Sequence, residues 1–357
     1  VTPLPPGATI GILGGGQLGR MLAIAAAQLG FDVAIYTDED DSPASRVAAR
    51  TWVGDYRDQT KLRDFAQHVA IVTTEFENVP AETASALIDA GVVVSPNPNV
   101  LAVAQDRFDE KSYFQSAGIA TPAFAAVASQ ADLDAALAEI RAPAILKTRR
   151  LGYDGRGQIR IGDADAAAGA YEKLGALGIL EAFCGFTREV SVIAARDPGG
   201  AMAFYDLCEN VHAHGILSRT TLPAKVSAAT QEQAEAAARS VMQAFDYIGV
   251  LTIEFFLMPD GSLVANEMAP RVHNSGHWTI EGAATSQFEQ HIRAIAGWPL
   301  GSTERLFDIE MDNLIGEEVL RWPELLTERG AHLHLYGKRD IRPGRKLGHL
   351  TRLAPRG

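Results

Sequence analysis

Gly249-Val-Leu-Thr-Ile-Glu254-Phe-Phe-Leu-Met258, the turn Pro259-Asp260-Gly261 and Ser262-Leu-Val-Ala-Asn266-Glu267-Met268 set two apolar β-strands around a reverse turn. Proline presets φ in such a turn and glycine takes the strained position. Each strand carries one glutamate inside an otherwise apolar run. An ionised carboxylate there is costly unless it is paired or holds a metal. Opposed residues of a hairpin lie about 5 Å apart, so Glu254 and Glu267 can share a cation if they face one side. The turn leaves the register open by one residue, and a one-residue slip sends the acids to opposite faces. The shared-cation reading therefore requires both acids to face one side, which a local bulge would achieve. Oxygen ligands combined with nucleotide phosphates suit Mg²⁺. The alternative is that both acids pair with nearby arginines.

Directly downstream, Ala269-Pro-Arg271-Val-His273-Asn274-Ser275-Gly-His277 packs polar donors against this hairpin. His273 and His277 have a zinc-like spacing, but proline and glycine make helical geometry unfavourable there. Donors aimed at an anionic substrate fit better. Upstream, the apolar strand Ala144–Thr148 carries Lys147 and leads into Arg149-Arg150-Leu151-Gly152-Tyr153-Asp154-Gly155-Arg156-Gly157. Glycines let backbone N–H groups approach phosphate oxygens, and lysine and arginine add charge. The pair resembles a phosphate clamp; a surface hairpin is the plainer alternative.

Near the start, Gly14-Gly15-Gly16-Gln17-Leu18-Gly19 lies between an apolar strand at Ile10–Leu13 and a helix from about Gln17 to Leu29, with Asp38 downstream. That is the pattern of a dinucleotide site, and it makes a nicotinamide-dependent dehydrogenase the rival reading. Its secure content is a tight turn whose amides point at something anionic, most readily a phosphate or substrate edge. Strands at Val33–Tyr36, Trp52-Val53, Ala70–Thr74 and Val92–Ser95 alternate with helical stretches. Such alternation implies a parallel sheet covered on both faces, hence an α/β unit. It ends near the stiff stretch Ser95-Pro96-Asn97-Pro98. Beyond it come one or two helices over Asn99–Gly118, a helix over Asp132–Ile140, and strands at Gln158–Ile161, Gly178–Glu181, Arg188–Ala194 and Met202–Asp206. A helix over Gln231–Phe245 precedes the glutamate hairpin, and the last region is mixed, with a strand at His332–Tyr336.

The 357 residues suggest two or three domains. A net charge of −12 disfavours a nucleic-acid partner but not a small anion held by local arginine and lysine. Two cysteines, Cys184 and Cys208, make neither a disulfide framework nor a zinc cage and suit a reducing compartment. No apolar run reaches the roughly 18 residues of a membrane span, and Val1–Gly7 lacks the features of a secretory signal. A cytoplasmic location is the expectation.

Four motifs together, Gly14–Leu22, Gly152–Gln158, Asn266–His277 and Pro343–His349, resemble the 5-(carboxyamino)imidazole ribonucleotide synthase family of ATP-grasp enzymes in purine biosynthesis. The resemblance runs from about Ile10 to Leu350. It implies an α/β (α+β overall) architecture: a Rossmann-like preATP domain (1–98), a two-lobed ATP-grasp domain (99–298, lobes about 99–180 and 181–298) and a small C-terminal domain (299–357). It further implies a homodimer that uses ATP and Mg²⁺ to join bicarbonate to the amine of 5-aminoimidazole ribonucleotide.

By the same resemblance, Arg107 and Lys147 contact nucleotide phosphates and Gly152, Gly155, Arg156, Gly157 and Gln158 form the covering loop. Glu181, Ala182, Phe183 and Cys184 form the hinge that reads adenine through backbone groups. Glu189 accepts from the ribose, His212 adds a nucleotide contact, and Glu254 and Glu267 hold Mg²⁺ with Asn266 beside them. The substrate side is Gln17, Glu75, Tyr153, Asp154, Arg271, His273, Asn274, Ser275, Arg345 and Lys346. Asp154 is expected to handle the amine proton, Tyr153 and Lys346 to orient the substrate, and Arg271 with His273 to steer bicarbonate. Leu151 stands where many members carry glycine, which stiffens the loop's start. The chain ends soon after Leu350, where many members run on; that bears on oligomer details more than on chemistry.

Overall fold

The computed structural model describes residues 2–357 apart from Tyr153, Asp154 and Ala164. Five short strands open the chain: β1 (Thr9–Leu13), β2 (Asp32–Thr37), β3 (Arg50–Val53), β4 (Ile71–Thr74) and β5 (Val93–Val94). They pair in parallel in the order β3-β2-β1-β4-β5. The strand order reverses at β1, so the crevice beyond the carboxyl ends of β1 and β4 is where such sheets bind ligands. The helix Gln17–Gln28 buries Leu18, Met21, Leu22, Ala25 and Ala26, an apolar stripe at helical spacing. That stripe shares one core with Phe288, Ile292 and Ile295 of the helix Gln287–Ile295, which lies far along the chain.

A second sheet contains β6 (Phe124–Val127), β7 (Ala144–Thr148), β8 (Gln158–Ile161) and β9 (Gly178–Ala182) in the order β6-β9-β7-β8. Its core, centred on Leu133, Leu146, Ile161 and Leu180, is separate from the larger ones.

The third sheet comprises β10 (Arg188–Arg196), β11 (Met202–Phe204), β12 (Cys208–Ala213), β13 (Ile216–Leu222), β14 (Gly249–Leu257), β15 (Leu263–Ala269), β16 (Asp308–Ile315), β17 (Ala331–Leu335) and β18 (Lys346–Ala354). Its order is β15-β14-β10-β12-β13-β16-β18-β17, with β11 beside β10. The last three strands thus extend the sheet of the preceding lobe through the β13–β16 pairing, so the C-terminal segment has no sheet of its own among the described residues. The strands β12, β13, β16 and β18 escape the apolar-pattern reading because their outer faces are charged. Arg219 of β13 pairs with Asp312 of β16 at 2.7 Å, and Arg352 of β18 reaches the same aspartate at 2.6 Å. Cross-strand ion pairs of this kind stabilise a sheet face while hiding its alternation.

Candidate active site

The glutamate hairpin forms as β14 and β15, and its register resolves the open question of facing. Leu257 opposes Leu263, Phe256 opposes Val264 and Phe255 opposes Ala265, but Glu254 opposes Glu267. The register shifts between Glu254 and Phe255, leaving Asn266 as the extra residue of a β-bulge. Without that residue-long offset Glu254 would face Asn266 and the acids would diverge.

Burial and the neighbouring Glu267 push Glu254 up to about 7. Burial also opposes the charge on Glu267, but Arg107, Lys147 and Lys111 outweigh it and hold that carboxyl below its ordinary range. Two facing carboxyls, beside a buried Asn266 Oδ1 that has no hydrogen-bond partner, fit a hard divalent cation. Among the described residues no three His, Cys, Asp or Glu side chains form a metal cage.

Both acids line a cavity of about 560 Å³ together with Arg107, Lys147, Gly152 and Lys346. Arg107 Nη1 lies 3.0 Å from Glu267 Oε2, and its Nη2 donates to the Gly152 carbonyl at 3.3 Å. Lys147 Nζ donates to Glu181 Oε2 at 2.8 Å, while the buried Glu181 Oε1 lacks a partner. Glu189 and His212 meet at 2.5 Å across β10 and β12. Burial lowers the His212 pKa, but Glu189 and Glu254 prevail and the net shift is upward. Gly155, Arg156, Gly157 and Gln158 also line the cavity. A Cβ on Gly155 would come within 3.2 Å of the His214 carbonyl, so the loop lies against the turn between β12 and β13 on the opposite lobe. Tyr153 and Asp154 lie outside the described residues. Leu151 has φ +61°, a left-handed conformation that a side chain makes costly.

In the hinge, the Ala182 and Phe183 N–H groups are spent on the Ala123 and Pro143 carbonyls, at 2.8 and 3.1 Å. Those two donors are therefore committed within the fold. The Phe186 and Phe256 rings, stacked at 4.6 Å, form an apolar wall of the cavity that the sequence reading missed.

His273 is kept neutral, its pKa lowered well below the ordinary value by burial and then by Arg271. Its Nδ1 accepts from the Ser275 N–H at 3.3 Å, so the ring proton sits on Nε2, 3.6 Å from Glu254 Oε1. Gln287 fixes the His273 backbone by accepting from its N–H at 2.9 Å and donating to its carbonyl at 2.7 Å. Ser275 requires a correction. It is fully buried, and its hydroxyl bonds Ser191 at 2.8 Å and His273 at 2.9 Å, so it supports the histidine instead of facing the cleft. Asn274 faces the cavity, yet its amide is paired reciprocally with Asn313 of β16 at 2.9 and 2.7 Å. Arg271 forms an ion pair with Glu77, another residue the sequence reading missed.

A second cavity of about 320 Å³ adjoins the first through Gln17 and is lined by Gly15, Gly16, Glu75, Lys338 and Arg345. Here the glycine turn is also corrected. The anion its amides face is the chain's own Glu75, whose Oε1 accepts from Gly16 at 2.5 Å and Oε2 from Gly19 at 2.8 Å. With both amides occupied, this turn cannot bind a dinucleotide pyrophosphate in the usual way. Burial raises the pKa of Glu75 despite those amides, and its carboxyl is committed to the turn more than to a ligand.

Comparison with known proteins fits this geometry. A ribonucleotide synthetase preATP-grasp domain matches residues 7–105, an ATP-grasp domain residues 112–288, and a phosphoribosylaminoimidazole carboxylase C-terminal domain residues 310–356. The N5-carboxyaminoimidazole ribonucleotide synthase of Brucella melitensis is 51% identical over 99% of this chain and 99% of its own length. The chain belongs to the N5-carboxyaminoimidazole ribonucleotide synthase family. The Thermus thermophilus synthetase of that family superposes with a TM-score of 0.91 at 48% identity, covering 98% of this chain and 94% of that one. An Aspergillus clavatus N5-carboxyaminoimidazole synthase, solved with ADP and 5-aminoimidazole ribonucleotide, gives 0.92 at 32% identity, again covering 98% and 94%. Family membership makes this an ATP-grasp ligase architecture from the first sheet to the last. The same membership leaves no place for the dehydrogenase reading.

Proposed function

We propose that this chain carboxylates 5-aminoimidazole ribonucleotide with bicarbonate, converting ATP to ADP and phosphate through carboxyphosphate. The reading is supported most by one observation: the bulge sets Glu254 opposite Glu267 on the cavity that Arg107 and Lys147 also line. Bicarbonate is a poor electrophile because its oxygen is a poor leaving group. In the proposed sequence a bicarbonate oxygen attacks the γ-phosphorus and the bond to ADP breaks. Carboxyphosphate then splits to CO₂ and phosphate, and the amine nitrogen bonds the CO₂ carbon and loses a proton.

Phosphoryl transfer needs positioning and charge neutralisation more than covalent help. Arg107 and Lys147, held in place by Glu267 and Glu181, line the cavity and supply that charge. Glu254 and Glu267 would hold Mg²⁺, which would add further neutralisation of the phosphates. The Gly152–Gln158 segment excludes water from the hydrolysis-prone intermediate. Neutral His273 with Arg271 orients bicarbonate. The second cavity, with Lys338 and Arg345, takes the ribonucleotide's phosphate. Lys346 and Tyr153 orient the base, and Asp154 receives the amine proton. We read the units as residues 1–98, 99–298 and 299–357, and the molecule as a cytoplasmic homodimer.

The test is a coupled ADP-release assay in which ATP, bicarbonate and 5-aminoimidazole ribonucleotide are omitted in turn. Full turnover is expected only with all three; turnover indifferent to the ribonucleotide would remove the proposal. Glu267→Gln should lower ADP release by at least about 10²-fold with an unchanged melting temperature. Asp154→Asn should slow carboxylation more than it weakens ATP binding.

A further inference from the structure

The bulge that pairs Glu254 with Glu267 lies on β15, the edge strand of its sheet, so among the described residues one side of its backbone has no strand partner. Bulges are common at sheet edges, and a return to regular pairing here would swing Glu267 away. The helix Arg107–Ser116 packs along this edge and places two buried charged residues on it. Lys111 Nζ donates to the Asn266 carbonyl at 2.7 Å, and Glu110 Oε1 accepts from the Met268 N–H at 2.6 Å. Lys111 is 0% exposed and Glu110 2%, so neither group has solvent as an alternative partner. The two contacts grip the backbone immediately before and immediately after Glu267. One turn earlier on the same helix face, Arg107 holds the Glu267 carboxylate itself. Ordinary edge protection would need only a covering loop or an exposed lysine. Here a donor and an acceptor, each of the right polarity, are spent on the two backbone groups that flank one side chain.

We propose that Glu110 and Lys111 are positioning residues that hold the Asn266 bulge in place and so set the spacing of the Glu254–Glu267 pair for a divalent cation. This rests on the metal reading given above. The clamp makes cation binding a property of the helix as well as of the hairpin. It also links the pair to the nucleotide side, because Lys111 Nζ lies 3.7 Å from Glu181 Oε2.

Calorimetric titration of the full chain with ADP, in the presence and absence of Mg²⁺, separates this role from general support of the fold. In the wild type Mg²⁺ should tighten ADP binding by about tenfold or more, a typical coupling between linked sites. In Glu110→Ala and Lys111→Met that enhancement should fall to about threefold or less with circular dichroism unchanged; metal-free ADP affinity should stay unchanged in Glu110→Ala, while in Lys111→Met the lost Glu181 contact weakens it by less than the loss with Mg²⁺. Glu110→Gln keeps an acceptor for the Met268 N–H and should restore most of the enhancement. Equal weakening of ADP binding with and without Mg²⁺ would overturn the clamp, as would an unchanged enhancement. Failure of both Glu110→Ala and Lys111→Met to fold would overturn it too, since the pair would then serve the fold; if only one fails, the other decides. A wild type without any Mg²⁺ effect would instead remove the metal reading itself.

Discussion

His291 shows how one side chain joins parts of the chain that are distant in sequence. Its Nδ1 accepts from the Val250 N–H at 3.1 Å, which puts the ring proton on Nε2, 2.8 Å from Thr73 Oγ1 at the end of β4. Complete burial lowers its pKa to about 4. A protonated ring would lose the bond from Val250, so the folded state resists the proton that the unfolded chain accepts near 6.5. The stability this provides is complete above that unfolded value and is lost as pH falls from there towards 4. At pH 5 the loss is about 2 kcal/mol relative to pH 7.5. Urea unfolding of wild type and His291→Gln at the two pH values should show their stability difference shrinking by that amount. A difference that does not change with pH would show that the ring protonates freely in the fold.

Among the elements, the glycine turn and the hairpin behave in opposite ways. The turn after β1 is legible as strand, tight turn and helix, yet its occupant comes from the end of β4, far along the chain. Local pattern reveals that an anion is wanted and says nothing about whether the chain supplies it. Gly14 has φ +113°, and a Cβ there would lie 2.2 Å from Glu75 Cγ. Gly14→Ala should therefore expel Glu75 and leave the Gly16 and Gly19 amides without an acceptor, at a cost of about 3 kcal/mol. Because Gly16 also lines the second cavity, the KM for ribonucleotide should rise more than that for ATP. Thermal melting and steady-state kinetics test the two halves of this expectation; an unshifted melt would show that the turn adapts around a methyl group. In the hairpin, by contrast, residue types alone require the acids to face one side if they share a cation, and the register achieves this with a bulge at Asn266.

For the whole molecule, the distribution of cores decides what can move. The helix Gln17–Gln28, the helix Gln287–Ile295 and strand β16 contribute to one core, so the first unit, the second ATP-grasp lobe and the C-terminal strands are packed together. The lobe built on β6–β9 has its own small core. It meets the helix Arg107–Ser116 and the β12–β13 turn through mainly polar contacts, Lys147–Glu181–Lys111, Arg107–Gly152 and the approach of Gly155 to His214, with one ring contact between Phe108 and Phe124. Polar seams open at lower cost than shared cores. Hydrogen exchange with and without ADP and Mg²⁺ should show nucleotide-dependent protection in residues 144–161, with β1, β2 and β14 unchanged. Uniform protection across all three sheets would mean that the lobes do not move separately.

The sequence by itself determined the parallel first sheet, the two glutamate strands, the loop after Lys147 and the family to which these motifs belong. Each is written in local periodicity, in glycines and prolines at turns, or in charged residues placed within apolar runs. Tertiary structure alone decided that Glu75 fills the glycine turn, that Ser275 lies beneath His273, that Gln287 and Glu77 support the site, and that the last three strands extend an existing sheet. Those facts depend on which distant segments meet. Hydrogen-bond partners and ion pairs across such contacts leave no periodic trace in either strand or helix, as the charged faces of β13, β16 and β18 show.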